Sequence, residues 1–244
     1  MTIATIAFIV VPLLTGLALW FAIVGCALSR TPLNDVRTES QSVSMDSATS
    51  ANVQIDFPAG ELKVQSGASN LMDASFRYNV DDWQPQVDYS ENGARGELIL
   101  SQPGARETNV GSGLVNEWEI HLGESAPMDL VVRTAAGKCQ LDLGGLDLSS
   151  LMIETGAGVT NVDLDGAWQH DVNVTIRGGV GEITVNLPAE MGVRVEMETG
   201  LASVTANGLM KDDKGYVNEA FDTAPYTLTL KLETGMGSVL LAAP

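Results

Sequence analysis

Leu151-Met152-Ile153-Glu154-Thr155-Gly156-Ala157-Gly158-Val159-Thr160-Asn161-Val162 and, 23 residues on, Val174-Thr175-Ile176-Arg177-Gly178-Gly179-Val180-Gly181-Glu182-Ile183-Thr184-Val185 are two copies of one design. Each is an alternating apolar segment, a glycine pair and a second alternating segment. Aligned on the second member of the pair, the chain repeats this at Gly60, Gly137, Gly158, Gly181, Ala202 and Gly237, with gaps of 21, 23 and 21 residues from Gly137 through Gly158 and Gly181 to Ala202. Five before each anchor stand Ile55, Val132, Ile153, Ile176, Met197 and Leu232; four after stand Val64, Leu141, Val162, Val185, Ala206 and Leu241. A period of two on either side of a glycine reads as strand, corner, strand with one face inward. Glycine at the corner permits positive φ without a Cβ clash. A repeat of this length built from short strands predicts a parallel β-solenoid over residues 127–244, a single-stranded β-helix whose coils bury a continuous core. Gly60, Gly137, Gly158, Gly181 and Gly237 are its structural corners. The 35-residue gap from Ala202 to Gly237 is too long for one coil, so 207–222 is expected to leave the stack as a loop.

The outward column four residues before the anchor reads Arg133, Glu154, Arg177, Glu198 and Glu233, alternating in sign over the first four coils. Coils stacked about 4.8 Å apart would set opposite charges above one another. Glu196 and Lys231 are expected to form a second such pair. Upstream, Ser75–Val80, Gln86–Ser90, Glu97–Gln102 and Val115–Leu122 are longer alternating segments, with turns at Asn92-Gly93 and Pro103-Gly104. They predict an N-terminal antiparallel β-unit over 51–126, built around Trp83 and Trp118 and covering the first coil's edge.

From Ile3 to Leu28 there is no charged residue, and Arg30 is the first charge. A helix over that run would extend roughly 39 Å at ~1.5 Å per residue, enough for a hydrocarbon core of about 30 Å. Residues 1–28 are therefore read as a hydrophobic membrane segment. Its end, Ile23-Val24-Gly25-Cys26, resembles a lipobox, in which Cys26 would become a lipidated N-terminus held stably by two or more acyl chains. The segment lacks a basic start, and Arg30 and Arg37 lie on its far side. Three anchors remain open on these residues: lipoprotein, a spanning helix with the domain outside, and a spanning helix with the domain in the cytoplasm. Residues 29–50, rich in Ser and Thr, read as a polar tether with an edge strand available at Val36–Met45.

The composition bounds the function. Against 13 Lys+Arg stand 31 Asp+Glu, a net charge of −18, so no nucleic-acid partner is expected. The 45% hydrophobic content is ample for a core. Two cysteines, Cys26 and Cys139, allow no disulfide framework, and Cys139 sits in an inward column as an inert thiol. His121 and His170 have no partner at metal-ligand spacing. Asp142, Asp147, Asp163 and Asp165 are the carboxylates nearest to a polysaccharide-cleaving pattern, but no Lys accompanies them. The Lys211-Asp212-Asp213-Lys214-Gly215-Tyr216 tip is polar and protruding. No catalytic residue, cofactor site or metal site is predicted.

The residues Ala59-Gly60-Glu61-Leu62, Tyr78-Asn79-Val80 with Trp83, Pro85 and Val87, Asn116-Glu117-Trp118, Gly156-Ala157-Gly158, Gly178-Gly179-Val180-Gly181, Leu187-Pro188 and Gly215-Tyr216-Val217-Asn218 together carry a resemblance. Over roughly 36–244 the chain resembles the bacterial toast-rack envelope proteins, whose C-terminal part is similar to the LiaF-like cell-wall-active antibiotic response domain. The resemblance implies a β-helix on a lipid or helix anchor, and so favours the lipid on Cys26; it implies no enzyme activity. The expected function is a non-enzymatic, membrane-anchored, extracytoplasmic protein serving envelope stress response or adhesion. Membrane lipid is its expected contact at the N-terminus, and a further envelope-protein or glycan partner is unspecified. The alternative is an extracytoplasmic carbohydrate- or cation-binding module.

Overall fold

Apolar columns that recur at every corner can be buried only if successive bent strands lie on one another in register, and that is the arrangement found. The structure is a computed structural model that describes residues 34–104 and 113–244; the hydrophobic segment 1–28, with Cys26, lies outside them. The strands are β1 (Arg37–Val43), β2 (Ser50–Ala68), β3 (Met72–Tyr78), β4 (Gln86–Asn92), β5 (Arg95–Ser101), β6 (Asn116–Gly123), β7 (Met128–Asp142), β8 (Leu148–Asp163) and β9 (Val172–Asn186). They continue as β10 (Gly192–Asn207), β11 (Met210–Asp212), β12 (Gly215–Val217) and β13 (Thr227–Ala242). The fold is all-β, a single mixed sheet dominated by parallel pairs, and the one helical element among the described residues is the 3-10 turn Asp81–Trp83.

Six long strands, β2, β7, β8, β9, β13 and β10, form a parallel stack of bent rungs. Gly60 lies against Gly137, Gly137 against Gly158, Gly158 against Gly181, Gly181 against Gly237, and Gly237 against Ala202. Inside the corner, Ile55, Val132, Ile153, Ile176 and Leu232 are all 0% exposed. Removing each such side chain from water contributes about 1.5–3 kcal/mol, and this continuous column is the principal stabilising term. Cys139 and Thr160 occupy the same interior further along their rungs.

The rung order corrects the sequence expectation. The last strand, β13, enters between β9 and β10, so β10 becomes the end of the stack. Segment 207–222 is not a loop bulging from the side: β11 and β12 form a hairpin, and β12 pairs antiparallel with Arg194 and Val195 of β10. The physical reason lies in the columns. β13 sets Leu228, Leu230, Leu232, Val239 and Leu241 inward, where β10 has the smaller set Val193, Val195, Met197, Val204 and Ala206. The strand with the bulkier inward column takes the position with a neighbour on each side.

The N-terminal strands are also tied to the stack more closely than a separate antiparallel unit would be. β2 is itself a rung, and its free edge is covered by two partners, β5 along Ser50–Ile55 and β6 along Glu61–Ala68, both parallel. Antiparallel pairs then extend these halves, β4 on β5 and β3 followed by β1 on β6. Trp118 and Trp83 do not share a cluster. Trp118 joins the main core between Phe57 and Phe76, at 5.2 and 5.1 Å between ring centroids, while Trp83 packs with Tyr78 and Val80.

Candidate functional site

The outward row before each corner is a charge ladder. Arg133 donates from Nη1 to Asp56 Oδ1 at 3.2 Å and from Nε to Glu154 Oε2 at 2.9 Å. Arg177 follows, with Nη1 3.3 Å from Glu154 Oε1 and Nε 3.2 Å from Glu233 Oε2. The sign alternation is present over five rungs, but because β13 intervenes, Arg177 meets Glu233 rather than Glu198. Lys231 is beside Glu196 in register, yet its Nζ turns to Glu233 at 2.8 Å and Glu198 at 4.0 Å. Lys231 first, then Arg177, holds the Glu233 carboxyl below its usual range. Arg177→Glu would place four carboxylates on successive rungs, at positions 154, 177, 233 and 198. It is expected to lower Tm, and more at low than at high ionic strength. An unchanged melting curve at both salts would show that the ladder does not stabilise the stack.

This ladder is one rim of a groove. Its floor is the row two before the corner, Ala135, Gly156 and Gly179, where a Cβ on Gly156 or Gly179 would stand 2.3 Å from the carbonyl oxygen of the rung below. Pro58 and the segment Ser101–Pro103 close one end, giving a cavity of about 690 Å³. The end wall is fixed from behind: Gln102 Nε2 donates to the Trp83 carbonyl, and Asn116 Nδ2 donates to Gln102 Oε1 at 2.9 Å and to the Ala59 carbonyl at 2.6 Å. A more polar stretch of about 460 Å³ continues it past Arg177 to Thr199 and Gly235. The row next to the corner forms the second surface feature. It begins with Ala59, Ala136 and Ala157, then rises through Val180 and Met236 to Leu201, exposed by 51, 47 and 79%. This ridge was not singled out in the sequence, although its signal was there in an outward column that is apolar on every rung.

The other candidates are accounted for structurally. Burial pushes the Cys139 thiol up to about 12, which keeps it protonated and unreactive. Asp163 Oδ1 accepts the Asp165 backbone N–H at 2.9 Å, and Asp142 is its neighbour on the adjoining rung. Asp147 is drawn off to His170, whose Nε2 lies 2.7 Å from Oδ1; the Asp171 carbonyl and then Asp147 raise the imidazole above its ordinary value. His121 contacts Gln65. The Lys211–Tyr216 tip is the β11–β12 turn, where Asp212 Oδ1 accepts the N–H groups of Lys214 and Gly215, both at 2.9 Å, and Oδ2 meets Arg194 at 2.9 Å. Among the described residues, no three His, Cys, Asp or Glu side chains converge as a metal site.

A model of the N-terminal domain of toast-rack proteins matches residues 33–186. The chain belongs to the toast-rack family. Among solved structures, this toast-rack chain resembles a candidate cell adhesion protein from Clostridium sporogenes, with a TM-score of 0.83 and 30% identity over 86% of this chain and 100% of that one. A candidate adhesin from Bacteroides fragilis aligns at 11% identity with a TM-score of 0.33, over 86% of this chain and 99% of that one. No curated protein matches the sequence.

Proposed function

We propose that this toast-rack chain is a non-enzymatic, adhesin-like protein of the cell envelope, held at a membrane on the extracytoplasmic side through residues 1–28 and a lipid on Cys26. Its described part acts as a rigid interaction platform, a single-stranded parallel β-helix with antiparallel strands on its first rung. The observation that carries the reading is the likeness to the Clostridium sporogenes protein along that protein's whole length. The surface chemistry agrees with it: the groove and ridge present apolar area, threonines and paired charges, a set suited to holding a partner.

Two measurements test it. Palmitate labelling of the full-length chain in cells is expected to be lost in Cys26→Ala, with processing blocked by globomycin; labelling that survives the substitution removes the lipid from the proposal. Cells displaying the full chain are expected to adhere to envelope or host surfaces more than cells lacking it, and equal adherence would sink the adhesive role. The groove supports a second reading, an extracytoplasmic carbohydrate-binding module. Tight, saturable binding of a cell-wall glycan, abolished by Thr155→Trp in the groove, would favour that reading instead.

A further inference from the structure

Strand β10 ends the stack with one side unpaired over most of its length. β12 occupies only Arg194 and Val195, so among the described residues the backbone from Glu196 to Asn207 has β13 on one side and no strand on the other. An open edge of this kind is a template for another strand, and proteins normally blunt it with lysine, proline or a bulge. From Glu196 to Asn207 there is neither lysine nor proline, and the register with β13 runs through both arms without a shift. The inward side chains Met197, Val204 and Ala206, whose equivalents on the inner rungs are buried, are only partly covered. Leu201 at the corner is 79% exposed.

We propose that this edge pairs with the same edge of a second copy of this chain, antiparallel and head to head, about a two-fold axis through the Gly200–Ala202 corner. The free stretch is self-complementary about that point. A two-fold there lays each arm of one bent strand along the other arm of its twin, keeping both interiors on the same side. Glu196 then faces Asn207, Met197 faces Ala206, Glu198 faces Thr205, and Thr199 faces Val204. Inward residues meet inward residues, so the two cores become continuous, and neither Glu196 nor Glu198 meets a like charge. The interface is isologous and closes at two copies. Pairing of β10 with a different edge, such as β1 at the other end of the sheet, would instead grow an open filament. In the closed pair the two β1 strands lie at opposite ends, because β1 and β10 stand toward opposite ends of the strand order. That arrangement would also let the pair bridge two surfaces, a consequence that rests on the adhesive reading, whereas the pairing itself does not.

The test uses the full-length chain in detergent, with sedimentation equilibrium as the readout. A monomer–dimer equilibrium is expected, tightening as salt screens a net charge of −18 on each copy. Thr205 is exposed, so both variants there leave the fold intact. Thr205→Glu sets a carboxylate against Glu198 twice per dimer and is expected to weaken association by roughly tenfold; Thr205→Lys is expected to strengthen it by a similar factor. A monomer at all concentrations, an open-ended polymer, or the same response to both variants would each overturn the proposal. Vesicles carrying the chain are expected to cluster. A dimer that responds to Thr205 as described without clustering of vesicles supports the pairing and counts against adhesion; clustering by a strict monomer does the reverse.

Discussion

Gly158→Ala is expected to lower the stability by more than about 4 kcal/mol, the range reached only by a few kinds of single substitution. Two effects combine. Gly158 holds φ at +133°, a conformation that strains any residue with a Cβ by about 1–3 kcal/mol. A Cβ built there would also stand 1.9 Å from the carbonyl oxygen of Gly137 on the rung below. That oxygen cannot retreat, since Gly137 is itself seated on Gly60, with 2.1 Å between its own added Cβ and the Gly60 oxygen. The same holds upward, at 1.9 Å for Gly181 on Gly158 and 1.8 Å for Gly237 on Gly181. Relief at one rung therefore moves the next. Gly67 separates the two effects, for it also has positive φ, at +110°, but nothing lies within 4 Å of an added Cβ. Urea unfolding is expected to show a much smaller loss for Gly67→Ala than for Gly158→Ala. Equal losses would mean that backbone strain alone, and not the stacked carbonyl column, selects glycine at the corner.

The same residues show what was legible in the sequence. Corner positions and interior columns could be read because one chemical demand recurs at every rung. A backbone that must pass within van der Waals distance of its neighbour admits glycine, and a side chain between two rungs must be apolar, so both leave a periodic trace. The order of rungs leaves no such trace. β10 and β13 satisfy the same pattern, and reading Arg177 against Glu198 was as good electrostatically as the observed Arg177 against Glu233. What separates them is side-chain volume and the corner residue, Leu228, Leu230 and Leu232 against Val193, Val195 and Met197, and Gly237 against Ala202, a comparison between strands that periodicity does not make. The N-terminal strands failed for a related reason. Alternation in β5 and β6 showed that they are strands, but not that each lies parallel to one arm of β2, which follows from how a bent edge can be covered. The groove was half legible: its charged rim recurs and was found, whereas its end wall at Ser101–Pro103 comes from a strand outside the repeat.

Removing 223–244, the segment that contains β13, is expected to abolish protection of β10 through β12 in hydrogen exchange, not merely to trim the end of the molecule. Five buried side chains, Leu228, Leu230, Leu232, Val239 and Leu241, leave with it, on the order of 10 kcal/mol of apolar burial and comparable to the whole stability of a domain. β10 carries the right pattern to take the vacant place on β9, with Val195 over Val174 and Glu198 over Arg177. Its corner prevents this. The place on Gly181 requires a residue whose Cβ, if present, would stand 1.8 Å from the Gly181 oxygen in the geometry that Gly237 adopts, at φ +134°. Ala202 cannot take that conformation without strain, and it is not among the residues with positive φ. The same misfit exists where β10 lies on Gly237, and there packing on Leu228, Leu230, Leu232, Val239 and Leu241 of β13 outweighs it; the smaller column Val172, Val174, Ile176, Ile183 and Val185 of β9 offsets it less. Ala202→Gly in the shortened chain is therefore expected to restore protection to β10 by allowing it to dock on β9, with Glu198 then paired to Arg177. Full protection of β10 in the shortened chain without that substitution would show that the corner does not decide which strand follows β9.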